Sequence, residues 1–282
     1  MNDSSLELAD ITGKNITTLH IDTSVQIERC KGTETAGSVE RVIKDFKFKT
    51  TSTYAKLEFK RAWLQRLAYL HSASFKVERD DQLLEYVNKK LGAHPAHRRM
   101  MSTCLQAIIS FLLQINGPLT PQARLLRLRS HIRSSVLGAH TWWTEYSVEH
   151  EFDGTGCIRA QEKPTERGGV LDVSIPKCNR SNINCSIHQF FSENLDVFLY
   201  IKSRIEALGQ SASDELKRAN EIISKSMDDP THLCNTKICA AIGDVIIAVD
   251  GIKMGCFAAN NDKEWVFLAN VLSKKLINPV KG

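Results

Sequence analysis

Apolar residues first cluster and then recur at helical spacing along most of the chain, and this pattern sets the order of elements. Ile16, Leu19, Ile21 and Val25 supply the apolar positions of a short buried strand, and Asp22 interrupts it where it should end. Residues 34–48 place Val39, Val42, Ile43 and Phe46 on one helical face. Thr50-Thr51-Ser52-Thr53 is a capping signal, and a second helix is predicted over 54–72 with Leu57, Leu64, Leu67 and Ala68 at helical spacing. Three more helices are predicted at 80–91, 97–115 and 120–137, with Pro121 suited to a first helical turn. Residues 151–176, rich in glycine and charge, read as a return connection. Helices follow at 187–208 and 213–227, the second capped by Ser213 with Asp214 and Glu215 in its first turn. Residues 238–252 are too apolar for a surface helix. A short strand over 253–259 and a last helix over 265–275 complete the reading.

Three carboxylates occupy comparable places in this order. Asp22 and Asp262 stand at strand ends, and Asp244 lies inside the apolar run beside Ile242, Val245 and Ile246. Parallel strands of one sheet bring their carboxyl ends together, where α/β proteins bind ligands, so these acids can meet despite their separation. The plainer alternative for Asp22 is a helix cap, with Ser24 as a second cap candidate. A lone buried carboxylate is costly, and several together repel unless a hard cation neutralises them. Oxygen donors suit Mg²⁺ or Mn²⁺, and such a cluster can activate water and stabilise a leaving oxygen in phosphodiester cleavage. Glu58 borders an apolar stripe, and its position alone favours a solvated side chain.

Composition narrows the class. With 282 residues, 42% hydrophobic and 24% charged, the chain has material for a full core and the balance of a soluble protein. Residues 1–8 are polar and acidic, unlike a secretory signal, and the run 104–115 contains two glutamines and is too short for a bilayer. The expectation is a cytoplasmic protein without membrane contact, its eight cysteines reduced or metal-bound.

Charge is unevenly spread. No Asp or Glu occurs from 86 to 144, while Lys89, Lys90, Arg98, Arg99, Arg124, Arg127, Arg129 and Arg133 all fall there. This polarity suggests a polyanionic partner, with the six arginines as candidate backbone contacts; solvated helix faces are the alternative. Trp142-Trp143 could stack on bases, although packing is the better reading. Cys178, Cys185, Cys234 and Cys239 are spaced more loosely than in zinc fingers, which places unligated, partly buried thiols ahead of structural zinc. His188 and His232 do not sharpen that case.

The motifs, taken together, resemble the PIN-domain family of metal-dependent nucleases. His20-Ile21-Asp22-Thr23-Ser24-Val25 is like the family's opening strand and first acid. Residues 53–58 resemble its second motif, Gly243-Asp244-Val245-Ile246-Ile247-Ala248 its third, and Asn261-Asp262-Lys263-Glu264-Trp265 its last. The resemblance covers roughly residues 16–75 and 178–282. It implies an α/β fold, a PIN-like three-layer α/β/α core with a central parallel sheet, built from residues 1–76 and 178–282. An all-helical basic insert at 77–150 and a return linker at 151–177 would interrupt that core. It further implies that Asp22, Glu58, Asp244 and Asp262 bind Mg²⁺ or Mn²⁺ and carry catalysis. Members differ over whether the acid stands at the position of Asp262 or of Glu264, and this chain has Ala259-Asn260 where the family often has Thr or Ser. The activity implied is endoribonucleolytic cleavage of RNA, with the arginines on the backbone. A catalytically inactive module binding nucleic acid or a partner, and a structure-specific DNA nuclease, are the alternatives. Smaller relatives act as toxins silenced by a protein antitoxin, so a toxin or defence role with a protein inhibitor is a further expectation.

Overall fold

A parallel sheet of short strands runs through the molecule, with helices on both faces. The computed structural model describes residues 18–31, 34–93, 98–115, 117–143, 150–152, 154–178, 185–260 and 262–280; Ile16, Asn261 and the side chain of Arg99 lie outside these. The chain begins with β1 (Thr18–Ile21), α1 (Thr23–Cys30), α2 (Glu34–Lys44), β2 (Phe48–Ser52) and α3 (Thr53–Phe59). A π-helical turn, Lys60–Leu64, leads into α4 (Gln65–Ser74), then α5 (Asp80–Ala93), α6 (Arg98–Gln114) and α7 (Pro121–Thr141). After β3 (His150–Phe152) come the hairpin strands β4 (Thr165–Arg167) and β5 (Val170–Asp172). The last part comprises α8 (Ser186–Glu193), α9 (Leu195–Leu208), α10 (Asp214–Asp228), α11 (Thr236–Ala241), α12 (Gly243–Asp250), β6 (Cys256–Ala258), α13 (Lys263–Val271) and β7 (Lys275–Ile277).

The sheet order is β3-β2-β1-β6-β7, and every neighbouring pair is parallel. All four residues of β1 are buried, as a central strand covered on both faces requires. Side chains alternate between two cores. Leu19, Ile21, Cys256 and Ala258 pack with Val25, Val39 and Ile43, whereas Phe257 and Ala259 join the larger cluster holding Tyr54, Ile246 and Trp265. Going outward from β1, strands follow chain order to β2 and β3 on one side and to β6 and β7 on the other. The order therefore reverses between β1 and β6, and the crevice at their carboxyl ends is where an α/β sheet binds its ligand.

Several sequence expectations change. Thr50-Thr51-Ser52 is strand as well as cap: the three residues finish β2, and Ser52 Oγ then accepts the Ala55 N–H at 2.9 Å to start α3. Glu151 and Phe152 pair with Thr51 and Ser52, so the segment 151–177 is more than a connection. It also carries the β4–β5 hairpin, whose two-residue turn places Gly168 and Gly169 at positive φ, as that turn type demands. Helix 187–208 is two helices broken at Asn194, and the last predicted helix ends at Val271, with a turn leading into β7. The segment 77–150 is helical through α7, and its described apolar residues join a cluster that extends beyond it. Leu83 and Val87 (α5), Ile108 (α6) and Leu128 (α7) share one cluster with Leu67 and Leu70 of α4. Trp143 is buried, and Trp142 stacks on Phe59 at 5.8 Å between ring centroids, so the tryptophans pack. Among the described residues no helix is long and apolar enough to cross a membrane.

Candidate metal centre

Asp22, Glu58 and Asp244 meet at the carboxyl end of β1, each offering a carboxylate oxygen within 4.8 Å of the others. Three separate local decisions place them. Asp22 follows β1 directly, continues the ladder by donating its N–H to the Ala258 carbonyl at 2.9 Å, and caps α1. The cap reading of Asp22 holds, and it uses one oxygen only. Oδ2 accepts Ser24 N–H at 2.9 Å and Ser24 Oγ–H at 2.5 Å, while Oδ1 is buried with no hydrogen-bond partner among the described residues.

Glu58 sits on the last turn of α3, and Thr23 Oγ1, 3.2 Å from its Oε2 and 3.3 Å from the Ala55 carbonyl, shares its proton between them. Asp244 enters from the first turn of α12. Gly243, the residue before it, leaves the room: a Cβ built there would lie 2.0 Å from Glu58 Oε1 and 3.2 Å from Tyr54 Cε1. The solvated reading of Glu58 is corrected by this packing, which only the fold reveals.

Electrostatics match the crowding. Burial raises the Asp22 carboxyl against the lowering effect of Ser24's hydrogen bonds. Burial, followed by the Asp22 charge, lifts Glu58 to about 7. Asp244 is driven well above its ordinary value by burial, then by Asp22 and Glu58. Such mutual elevation is what uncompensated carboxylates do in a confined space, and a divalent cation reverses it.

Asp262 stands apart from the three. It is exposed at the N-cap of α13, where Oδ1 accepts the Trp265 N–H at 2.9 Å, and it reaches the centre only through its charge on Asp22 and Asp244. Glu264 also acts on Asp244 by its charge, after Asp262. It accepts a hydrogen bond from Ser213 Oγ at 2.7 Å and, with Glu58, Asp244 and Glu215, lines a cleft of about 250 Å³. Glu215, read from the sequence as a helix-dipole residue, thus also faces this cleft, and nothing in its local pattern signals that.

The arginines do not form one free basic face. Arg124 is paired with Asp80 (Nε–Oδ2 2.6 Å), which is almost fully buried. Arg129 donates to Ser74 Oγ and to the Ser74 and Val77 carbonyls and lies over the Phe75 ring. Arg133 pairs with Glu166 of β4. Arg98 and Arg127 are exposed. Half of the six candidates therefore hold α7 to its neighbours.

Compared with models of protein families, with curated proteins and with solved structures, the chain matches none.

Proposed function

We propose that this protein is a Mg²⁺- or Mn²⁺-dependent endoribonuclease with a PIN-like three-layer core, cleaving RNA at the Asp22–Glu58–Asp244 centre. One observation carries the reading. Three acids from segments far apart in sequence converge where the strand order reverses, and one buried oxygen, Asp22 Oδ1, has no protein partner among the described residues. That orphaned oxygen, the raised carboxyl pKa values and the space left by Gly243 fit an oxygen-ligated divalent ion. Asp22, Glu58 and Asp244 would hold it, with Glu264 at the rim.

A bound ion supplies positive charge that polarises a phosphoryl oxygen and makes a water molecule a stronger acid. The protein's own contributions are positional. Ser24 fixes Asp22 Oδ2 and leaves Oδ1 facing inward; Thr23 holds Glu58. Without an ion, burial and the Asp22 charge oppose ionisation of Glu58, so its carboxylate is set up to gain from a cation beside it. Exposed Arg98 and Arg127 remain as candidate contacts for the RNA backbone.

The test is cleavage of single-stranded RNA, hairpin RNA and flapped DNA with Mn²⁺, Mg²⁺ or EDTA, using wild type, Asp22→Asn and Asp244→Asn. Metal-dependent RNA cleavage that falls at least about a hundredfold in either variant is expected. Cleavage of flapped DNA alone would transfer the proposal to a DNA nuclease. Equal activity in the variants and wild type, or none in any protein, would end it.

A further inference from the structure

A second group of ligating side chains lies outside the acidic centre. Cys185, His188 and Cys234 each present a ligand atom within 4.8 Å of the other two. Cys178 lies next to the group, near enough to interact with Cys185 as Cys234 does, with its sulfur outside the set of donors that are all within 4.8 Å of one another. Cys239, the expected fourth cysteine, is elsewhere, its Sγ 3.2 Å from Tyr54 Oη. His188 takes the place the spacing had given to Cys239.

We infer that Cys178, Cys185, His188 and Cys234 form a structural Zn²⁺ site. The donor set is three thiolates and one imidazole, which selects zinc over the hard ions suited to the acidic centre. Four protein donors would close a tetrahedron, as structural sites do. Zn–S bonds of about 2.3 Å place donor atoms roughly 3.8 Å apart, so Cys185, His188 and Cys234 need only a small contraction, and the neighbouring Cys178 sulfur closes in to complete the set.

Local geometry prepares the site. Cys185 stands at the N-cap of α8, beside the free N–H groups of that helix's first turn. His188 is three residues on, on the same helical face, and its Nδ1 is buried with no hydrogen-bond partner among the described residues. Cys234 ends the 3₁₀ turn Pro230–Leu233, which packs on α8. Two further features suit a metal. Three thiols cannot all pair as disulfides, and all of them are free. A Zn²⁺ with three thiolates and a neutral imidazole carries one net negative charge, and the buried Arg159 guanidinium acts electrostatically on Cys178 from nearby.

Such a site would staple three segments together: the end of the 154–178 stretch, α8 and the approach to α11. The Cys178 N–H already donates to Thr236 Oγ1 at 3.2 Å. Because α11 leads directly to Gly243 and Asp244, the staple anchors the element that delivers one acid of the other centre.

Metal content decides the matter. The full chain, expressed with zinc and purified under reducing conditions, should hold one zinc per chain by elemental analysis. Asp22→Asn/Asp244→Asn and Cys239→Ser should keep it; Cys185→Ser/Cys234→Ser should lose nearly all. Should that double variant not fold, His188→Cys serves instead, because a four-thiolate site retains metal. Replacement by Co²⁺ should give intense visible bands of tetrahedral thiolate coordination in wild type, and stronger thiolate charge-transfer absorption in His188→Cys. The inference is overturned by wild type that carries no zinc and gives no such Co²⁺ spectrum. Zinc that disappears with the acid variants but survives Cys185→Ser/Cys234→Ser overturns it too, as does a Cys185–Cys234 disulfide in the reduced-purified protein.

Discussion

Tyr54 and Cys239, 185 residues apart, exchange two hydrogen bonds: Tyr54 Oη–H donates to the Cys239 carbonyl at 2.9 Å, and Cys239 Sγ–H donates to Tyr54 Oη at 3.2 Å. Tyr54 is on α3, one turn from Glu58, and Cys239 is on α11, just before Asp244. The pair thus sets the spacing between two of the three acids. Tyr54→Phe should cost roughly 1–2 kcal/mol, since it strips a buried carbonyl of its best partner. It should also weaken Mn²⁺ binding by 10- to 100-fold, the usual effect of losing a group that orients metal ligands. Thermal melts with and without Mn²⁺ check both. Unchanged Mn²⁺ affinity would show that α3 and α12 are held in register by something else.

Gly243 gives a sharper probe of the same centre. A methyl group there would overlap Glu58 Oε1, the free end of a flexible side chain, with Glu58 Cδ at 3.1 Å and Tyr54 Cε1 at 3.2 Å. Gly243→Ala should therefore fold, at a cost of roughly 1–3 kcal/mol from overpacking. It should displace the Glu58 carboxylate and abolish the rise in Tm that Mn²⁺ gives wild type. A variant with normal Mn²⁺ stabilisation would remove Glu58 from the centre.

Part of this centre is legible in the sequence because its residues break a local rule. Asp22 interrupts a strand and Asp244 interrupts an apolar helix, and each violation needs a tertiary partner. Glu58 breaks no rule, so apart from the family resemblance only its packing against Thr23 and Gly243 singles it out. Asp262 breaks no local rule, since an Asp before a helix is an ordinary cap and its Oδ1 fills that role. The short strands β2, β3 and β7 escape detection because three to five residues of parallel strand draw their stability from neighbours and carry little pattern of their own. His188 is hidden likewise; its spacing from Cys185 has meaning only once the turn before Cys234 lies against α8.

The basic segment divides into structural and available charge, and paired substitutions separate the two. Asp80 is almost fully buried and is neutralised by Arg124, whose own side chain is about one-third exposed. Arg124→Ala leaves that carboxylate unpaired and should destabilise the fold by roughly 1–3 kcal/mol. Arg127 is exposed, so Arg127→Ala should stay within about 0.5 kcal/mol of wild type. If Arg127 touches an RNA backbone, its loss should reduce the salt slope of binding by about one. Denaturant titration and RNA binding at several salt concentrations read the two effects. Equal stability of both variants would return Arg124 to the surface set.

The pH dependence of stability follows from Glu58. Its carboxyl rises from 4.5 to about 7 on folding, because burial and the neighbouring Asp22 oppose its charge. Between those values the native state binds more protons than the unfolded one. The contribution to stability is therefore complete below 4.5 and is lost as pH rises through about 7. His20 works in the other direction: burial lowers it from 6.5 to about 3, so its contribution is present above 6.5 and is lost as pH falls. The two overlap, and wild type alone cannot separate them. Comparison with Glu58→Gln does, because His20 is common to both proteins. In EDTA, wild type should lose more stability than Glu58→Gln between about pH 5 and about pH 8. Adding Mn²⁺ should restore wild type progressively as pH rises, since the ion competes with protons for the same oxygens, and should do little for the variant. Parallel pH profiles for the two proteins, with and without Mn²⁺, would mean that Glu58 is neither protonated near neutrality nor a ligand.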